Sequence, residues 1–297
     1  MYHTHFALRE LPFGLTPDTA FAFACTPHQE ALNTLLVAAA NGEGFMKVTG
    51  EVGTGKTLLC RRFLSQLDDE NVTAYIPNPL LDPHGLLLAL AEELRVDFDR
   101  DDDPHRLLKS LNQVLLAHAR AGKRVVVCLD EAQAMPLETL ESLRLLSNLE
   151  TEKRKLFQVV LFGQPELDVK LAHESVRQLQ QRITFQYHLS ALSRRELEYY
   201  ISHRLRIAGY LGDRLFNTTA LDALYTASRG VPRLINVVAH KSMLAAYGEG
   251  RHYISAAHVR QAARDTPSAR RVYSPPLWIG AAAAVTAAAV IYWYLER

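Results

Sequence analysis

Along the first 190 positions, short apolar runs alternate with longer stretches whose apolar residues recur every three or four. Phe45–Thr49 is a short run that ends in a glycine-rich turn. Val72–Ile76 is β-branched and stops at Pro77. Val125–Leu129 is continuously apolar, as suits a strand buried on both faces. Phe157–Phe162 is similar and ends at Gly163, and Ile183–Leu189 alternates more weakly. Helical patterns separate these runs at His28–Ala40, Thr57–Gln66, His84–Leu94, Arg106–Ala121 and Glu138–Glu150. Strands alternating with helices predict an α/β fold with a mostly parallel sheet covered on both faces.

Beyond Leu189 the strand patterns stop. Ser193-Arg194-Arg195-Glu196 has the form of a capping box, opening a helix that reaches about Ala208. Further helical patterns cover Thr218–Ser228, Pro232–Tyr247 and Ser255–Asp265. The predicted organisation is therefore an α/β domain over 1–190, a small helical domain over 191–265 and a linker over 266–276. Residues 277–295 form an uncharged, alanine-rich stretch flanked by Trp278 at one end and Tyr292, Trp293 and Tyr294 at the other. As a helix it would extend about 28 Å, close to the thickness of a bilayer core. A single membrane-spanning helix is the expectation. Arg264, Arg270 and Arg271 before it predict that the N-terminal part faces the cytoplasm. The chain opens without the pattern of a signal peptide.

Charge adds one feature. The formal net charge is only +1, but residues 1–150 carry 13 basic against 21 acidic residues and residues 151–297 carry 20 against 11. The halves are thus −8 and +9, an asymmetry that points to interaction surfaces or to a site assembled between parts. The near-zero total argues against a uniformly basic nucleic-acid binder. Cys25, Cys60 and Cys128 are odd in number and widely spaced, so they imply neither a disulfide framework nor a zinc site.

The strongest chemical motif is Gly50-Glu51-Val52-Gly53-Thr54-Gly55-Lys56-Thr57, a full GxxxxGK[ST] between a strand and a helix. Its glycines let backbone N–H groups cradle phosphate oxygens. Lys56 is expected to reach the β- and γ-phosphates of ATP, and the Thr57 hydroxyl to coordinate Mg²⁺. Val125–Leu129 leads directly into Asp130-Glu131. Asp130 is expected to hold Mg²⁺, mostly through water, and Glu131 to orient and polarise the attacking water. Gln164, at the end of the next strand, is placed to hydrogen-bond the water or phosphate. Arg182 and Arg233 are suited to stabilising charge spread over a transferring phosphoryl group.

Further residues bear on family. Phe13-Gly14-Leu15-Thr16-Pro17-Asp18 is followed by His28 and Glu30-Ala31-Leu32. Leu143-Arg144-Leu145-Leu146-Ser147-Asn148-Leu149-Glu150-Thr151 precedes Gly163-Gln164-Pro165-Glu166-Leu167. Gln181-Arg182-Ile183 and Gly230-Val231-Pro232-Arg233-Leu234-Ile235-Asn236 complete the set. Over roughly residues 5–265 the chain resembles AAA+ P-loop ATPases, and within them the general secretion pathway protein A family and the MSHA-type pilus biogenesis relatives. The resemblance implies a five-stranded parallel sheet, a small α-helical lid and a ring-shaped homo-oligomer. It gives Gln164 a sensor-1 role and Arg233 a sensor-2 role. It makes Arg182 an arginine finger toward a neighbouring subunit, with Arg177 as the alternative. Leu11–Pro17 is expected near the adenine.

The function expected is an inner-membrane ATPase, with ATP and Mg²⁺, that assists assembly of a type IV pilus or type II secretion apparatus and has inner-membrane proteins of that apparatus as partners. Only Glu296 and Arg297 follow the apolar stretch, so a periplasmic peptidoglycan-binding domain, common in that family, is not expected. The alternative is a DNA-binding regulator resembling transposition ATPases, with phosphate contacts from the basic half. The apolar stretch and the lack of a DNA-reading motif argue against nucleic acid. A nucleotide-binding scaffold without turnover is a third reading, opposed by Glu131.

Overall fold

The computed structural model describes residues 2–14, 21, 23, 25–99, 103–146 and 155–270. Five parallel strands, β1 (Phe45–Thr49), β2 (Asn71–Ile76), β3 (Arg124–Leu129), β4 (Phe157–Gly163) and β5 (Ile183–His188), lie in the order β2-β3-β4-β1-β5. Each predicted strand appears within a residue or two of its predicted ends. β1, β3 and β4 are almost wholly buried, which is why they read as unbroken apolar runs. β5 lies at an edge and alternates half-buried with exposed positions.

Helices cover both faces. After α1 (Tyr2–His5), α2 (Thr26–Ala40) and α3 (Lys56–Gln66) pack on one face, where Leu32, Leu35, Leu59 and Phe63 meet Val48, Val126 and Phe162. On the other face, α4 (Pro83–Glu93), α5 (Pro104–Arg120) and α6 (Leu137–Leu146) pack on Val125, Val127, Val159 and Leu161. Asp82 and Asp103 cap α4 and α5, accepting from backbone N–H groups of the first turn, with proline as the first helical residue of each. Short helices α7 (Glu166–Leu171) and α8 (Arg177–Arg182) join β4 to β5. Lys47 of β1 is buried and ion-paired to Asp168, which ties α7 to the sheet.

The helices beyond the sheet are α9 (Arg194–Ile207), α10 (Thr218–Ser228), α11 (Pro232–Gly248) and α12 (Ala256–Arg264). The Ser193 capping box is present, with Ser193 Oγ accepting from Glu196 N and the Glu196 carboxylate accepting from Ser193 N. These helices share an apolar core of their own. It also contains Tyr2, Phe6, Leu8, Phe13, Phe21 and Cys25, so the N-terminal segment sides with the helices although the sequence pattern grouped it with the sheet. Tyr2 explains part of this, since its hydroxyl bonds His240 Nδ1 of α11 at 2.8 Å. The start of the predicted linker also differs: Arg270 N donates to Ala227 O at 2.9 Å, and Thr266 is buried. Among the described residues no helix is long and apolar enough to cross a membrane. The stretch predicted to do so, 277–295, lies outside the described residues, as do 147–150 at the predicted end of α6.

One turn sets how the helical part meets the sheet. α10 ends in Arg229 (φ +52°) and Gly230 (φ +76°), both left-handed, before α11 begins. A Cβ on Gly230 would stand 2.0 Å from the backbone oxygen of Leu192, so backbone would have to shift. Gly230→Ala is therefore expected to cost about 3 kcal/mol or more, combining backbone strain with overpacking. In thermal unfolding this corresponds to a fall in Tm of roughly 5–10 °C. An unchanged Tm would show that the turn can relax.

Candidate nucleotide site

The P-loop follows β1 directly. Gly50 N donates to Gly163 O at 3.2 Å, so the loop starts against the end of β4. Gly53 and Gly55 hold φ of +85° and +101°, conformations that need glycine. Both are also crowded. A Cβ on Gly53 would be 2.5 Å from Arg233 Cβ, and one on Gly55 would be 2.8 Å from His28 Nε2. Lys56 opens α3 and is buried, its Nζ donating to Gly50 O at 2.7 Å and Glu51 O at 3.1 Å. Burial pulls its pKa below the ordinary lysine value, against the opposing pull of Glu131, Asp130, Glu51 and Glu166.

Asp130 directly follows β3, beside the P-loop helix. Thr57 Oγ1 donates to Asp130 Oδ2 at 2.6 Å, and Glu131 N donates to Oδ1 at 3.0 Å. Asp130 is 2% exposed, and burial raises its pKa although the Thr57 hydrogen bond opposes the rise. A hydroxyl and a buried carboxylate this close are hard oxygen donors. They fit Mg²⁺, which is usually held by one or two carboxylates plus substrate phosphates. Glu131 has φ +54°, and its Oε2 accepts from Gln133 Nε2 at 2.6 Å and Gln164 Nε2 at 3.1 Å.

These groups surround a cavity of about 360 Å³, lined by residues that include Val52, Gly53, Gly55, Lys56, Thr57, Glu131 and Arg233. Asp130 and Gln164 stand one hydrogen bond behind it. Arg233 enters at the start of α11, where its backbone N–H donates to Gly53 O at 3.1 Å. A larger basin, about 870 Å³, opens at the amino-terminal ends of the strands among Gly42, Glu70, Gly122 and Gln158. Open parallel sheets hold ligands at the carboxyl ends of their strands, so the smaller cavity is the candidate site.

Arg182 is not brought to this cavity. It directly precedes Ile183, which pairs with Phe45 at the start of β1, about one strand length (roughly 13 Å) from the P-loop. Its Nη1 donates to Arg144 O at 3.2 Å. Arg177 is exposed on the same short helix. Of the segment predicted near adenine, Gly14 lines the cavity, Phe13 is buried and Leu11 is 46% exposed, while 15–17 lie outside the described residues.

The sequence reading missed Tyr200, Arg204, Asn236 and Gln133. Arg204 is buried, with Nε donating to Pro12 O at 2.6 Å, Nη1 to Tyr200 OH at 2.9 Å, and its guanidinium 4.8 Å from the Phe21 ring centroid. Tyr200 OH donates to Asn236 Oδ1 at 2.9 Å, and all three residues line the cavity. The signal was available: Tyr200 and Arg204 are four apart on the apolar face of α9, where polar side chains need partners. Gln133 left no such mark, being one more polar residue in a short turn.

The model of the AAA domain family matches residues 39–171. General secretion pathway protein A of Aeromonas hydrophila is 42% identical over 270 residues, which are 91% of this chain and 49% of that protein. The chain thus spans about half the length of the curated relative it matches. Among solved structures, the ORC2 protein of Aeropyrum pernix, in ADPNP and ADP complexes, superposes with a TM-score of 0.60 at 18% identity, covering 83% of this chain and 70% of that one. Cdc6p of Pyrobaculum aerophilum gives 0.61 at 19% identity, over 84% and 70% of the two chains. The Holliday-junction motor RuvB of Thermotoga maritima gives 0.53 at 17%, over 80% and 68%. At such identities these structures speak for the fold. Fold and site together define an AAA+ P-loop ATPase, a class built to bind nucleotide. Within it, the chain belongs to the general secretion pathway protein A family.

His28 supports the P-loop from outside. Its Nε2 lies 2.9 Å from Thr54 O, a pure acceptor, so Nε2 carries the proton and Nδ1 accepts from Cys25 Sγ at 2.6 Å. Burial lowers the His28 pKa and pushes the Cys25 thiol up to about 11, which suits a neutral pair. A histidine with a lowered folded-state pKa contributes stability above its unfolded value, about 6.5, and loses it as the pH falls below that. The wild type should therefore lose more Tm than His28→Gln between pH 7.5 and pH 5.5. Equal losses in the two proteins would remove His28 from the acid response.

Proposed function

We propose that this protein hydrolyses ATP as a membrane-anchored, oligomeric assembly factor for a type II secretion or type IV pilus apparatus. The observation that carries the ATPase part is the convergence of Lys56, Thr57, Glu131 and Arg233 on one cavity, with Asp130 and Gln164 directly behind. P-loop N–H groups and Lys56 bind the phosphates of ATP. Thr57 and Asp130 would hold Mg²⁺, which neutralises charge on the β- and γ-phosphates. Glu131 orients a water and takes its proton as the water oxygen bonds the γ-phosphorus. The bond to the bridging oxygen breaks, and that oxygen leaves with ADP. Gln164 steadies the Glu131 carboxylate, and Arg233 reports the γ-phosphate to α11, giving the helices α9–α12 the role of a lid. Arg182 serves the site of a neighbouring copy in a ring, a role compatible with its distance from its own P-loop.

The secretion role follows from membership of the family, and the pilus role from resemblance to the MSHA-type pilus biogenesis protein M. The membrane anchor rests on the apolar stretch 277–295 and its aromatic flanks.

Lys56→Ala should lose nucleotide binding. Glu131→Gln should bind ATP but turn over on the order of 10²–10⁴ times more slowly, as when a general base is removed. Mixed oligomers of Lys56→Ala and Arg182→Ala chains should regain turnover that neither has alone. No recovery in confirmed mixed oligomers would dismiss Arg182 as a finger in trans. For the anchor, the full chain should sediment with membranes while a chain ending at Asp265 stays in the supernatant. A full chain that remains soluble would refute the anchor.

A further inference from the structure

Gln133 sits in the 3₁₀ turn Ala132–Ala134, just after the acidic pair that follows β3. Its amide is used at both ends. Nε2 donates to Glu131 Oε2 at 2.6 Å, and Oε1 accepts from the backbone N–H of Gln164 at 3.0 Å. Gln164 Nε2 donates to the same Glu131 oxygen at 3.1 Å. The three residues thus form a closed loop of hydrogen bonds between the ends of β3 and β4. Of the three, only Glu131 lines the cavity, and its Oε1 makes no hydrogen bond among the described residues.

We propose that Gln133 is a positioning residue for hydrolysis: it holds the Glu131 carboxylate and couples its orientation to the position of Gln164. Three further observations support this. Glu131 has a left-handed backbone, φ +54°, so its side chain leaves the strand in a direction that β3 alone would not give. The turn is pinned from outside, because Lys170 Nζ of α7 donates to Met135 O at 2.7 Å. Gly163 leaves room beside the amide, since a Cβ there would crowd Leu167 Cδ2 at 2.7 Å and stand 3.3 Å from Gln133 Oε1. Any displacement of the Gln164 backbone therefore changes the acceptor contact of Gln133 and, through one side chain, the donor into Glu131. The position uses one donor and one acceptor, which an amide supplies. Leucine offers neither a donor nor an acceptor, and an ionised glutamate sets a second carboxylate against Glu131.

This inference rests on the reading of Glu131 as the residue that activates water. The test is steady-state ATP hydrolysis by the full chain, with ATP affinity measured separately by titration. Gln133→Leu and Gln133→Glu should each lower kcat at least about tenfold, since a misplacement of ~1 Å costs on the order of 10²-fold. Their ATP Kd should stay within about twofold of wild type, as for a group that acts only in the transition state. In a Glu131→Gln background the same changes should produce no further loss, because the residue through which they act is already disabled. Wild-type kcat in both Gln133 variants, or a full additional loss in the Glu131→Gln background, would overturn the proposal. Wild-type turnover by Glu131→Gln itself would instead overturn the reading of Glu131, whatever Gln133 does.

Discussion

Gly53 and Arg233 meet where there is no room for a side chain on the loop. The Arg233 N–H donates to Gly53 O, and a Cβ on Gly53 would lie 2.5 Å from Arg233 Cβ. This contact seats the first turn of α11 directly on the phosphate loop. Because α11 packs with α9, α10 and α12 around one core, its seating places Tyr200, Arg204 and Asn236 at the same cavity. The N-terminal segment follows, since Pro12 O accepts from Arg204 and Phe13 is buried in that core. A shift of the helices cannot leave the loop unaffected, because it breaks a backbone hydrogen bond to the loop itself. That is the physical basis on which nucleotide and helical part can influence each other.

The electrostatics of the cavity have the same two-sided character. Asp130, Glu131, Glu51 and Glu166 act on Lys56 from the sheet side. Arg204 and Arg233 come from the helices. The charge difference between the two halves of the chain is thus partly realised at one place. ATP with its metal would carry charges of both signs into a space where both are already present. Burial raises the Asp130 pKa, and a cation nearby would oppose that rise.

Elements whose physics is local were readable from the chain. The strands β1, β3 and β4 announce themselves because burial on both faces leaves no polar positions to interrupt them. The helix start at Ser193 carries its capping side chain in the sequence, whereas the caps Asp82 and Asp103 precede the predicted starts His84 and Arg106. The P-loop is likewise local, eight consecutive residues whose spacing encodes its backbone shape. Long-range placements were not readable. Nothing in the spacing of Tyr2, Phe6 and Phe13 tells that they join the helical core, because an apolar residue does not name the surface it will cover. His28 belonged to a recognisable signature, but only the structure ties it to Thr54 O.

The sequence alone established the class of chemistry: a phosphate loop, an acidic pair after an apolar strand, and a polar residue at the next strand end. These motifs are short-range, and each implies its own chemistry. What the tertiary structure added is which side chain touches which. It put Gln164 on Glu131 with Gln133 bridging them, and it put Arg182 at the far edge of the sheet. The strand order β2-β3-β4-β1-β5 and the parallel pairing of β5 with β1 are the reason. It sets the ends of β3 and β4 side by side next to the P-loop, and it leaves the start of β5 a strand length away.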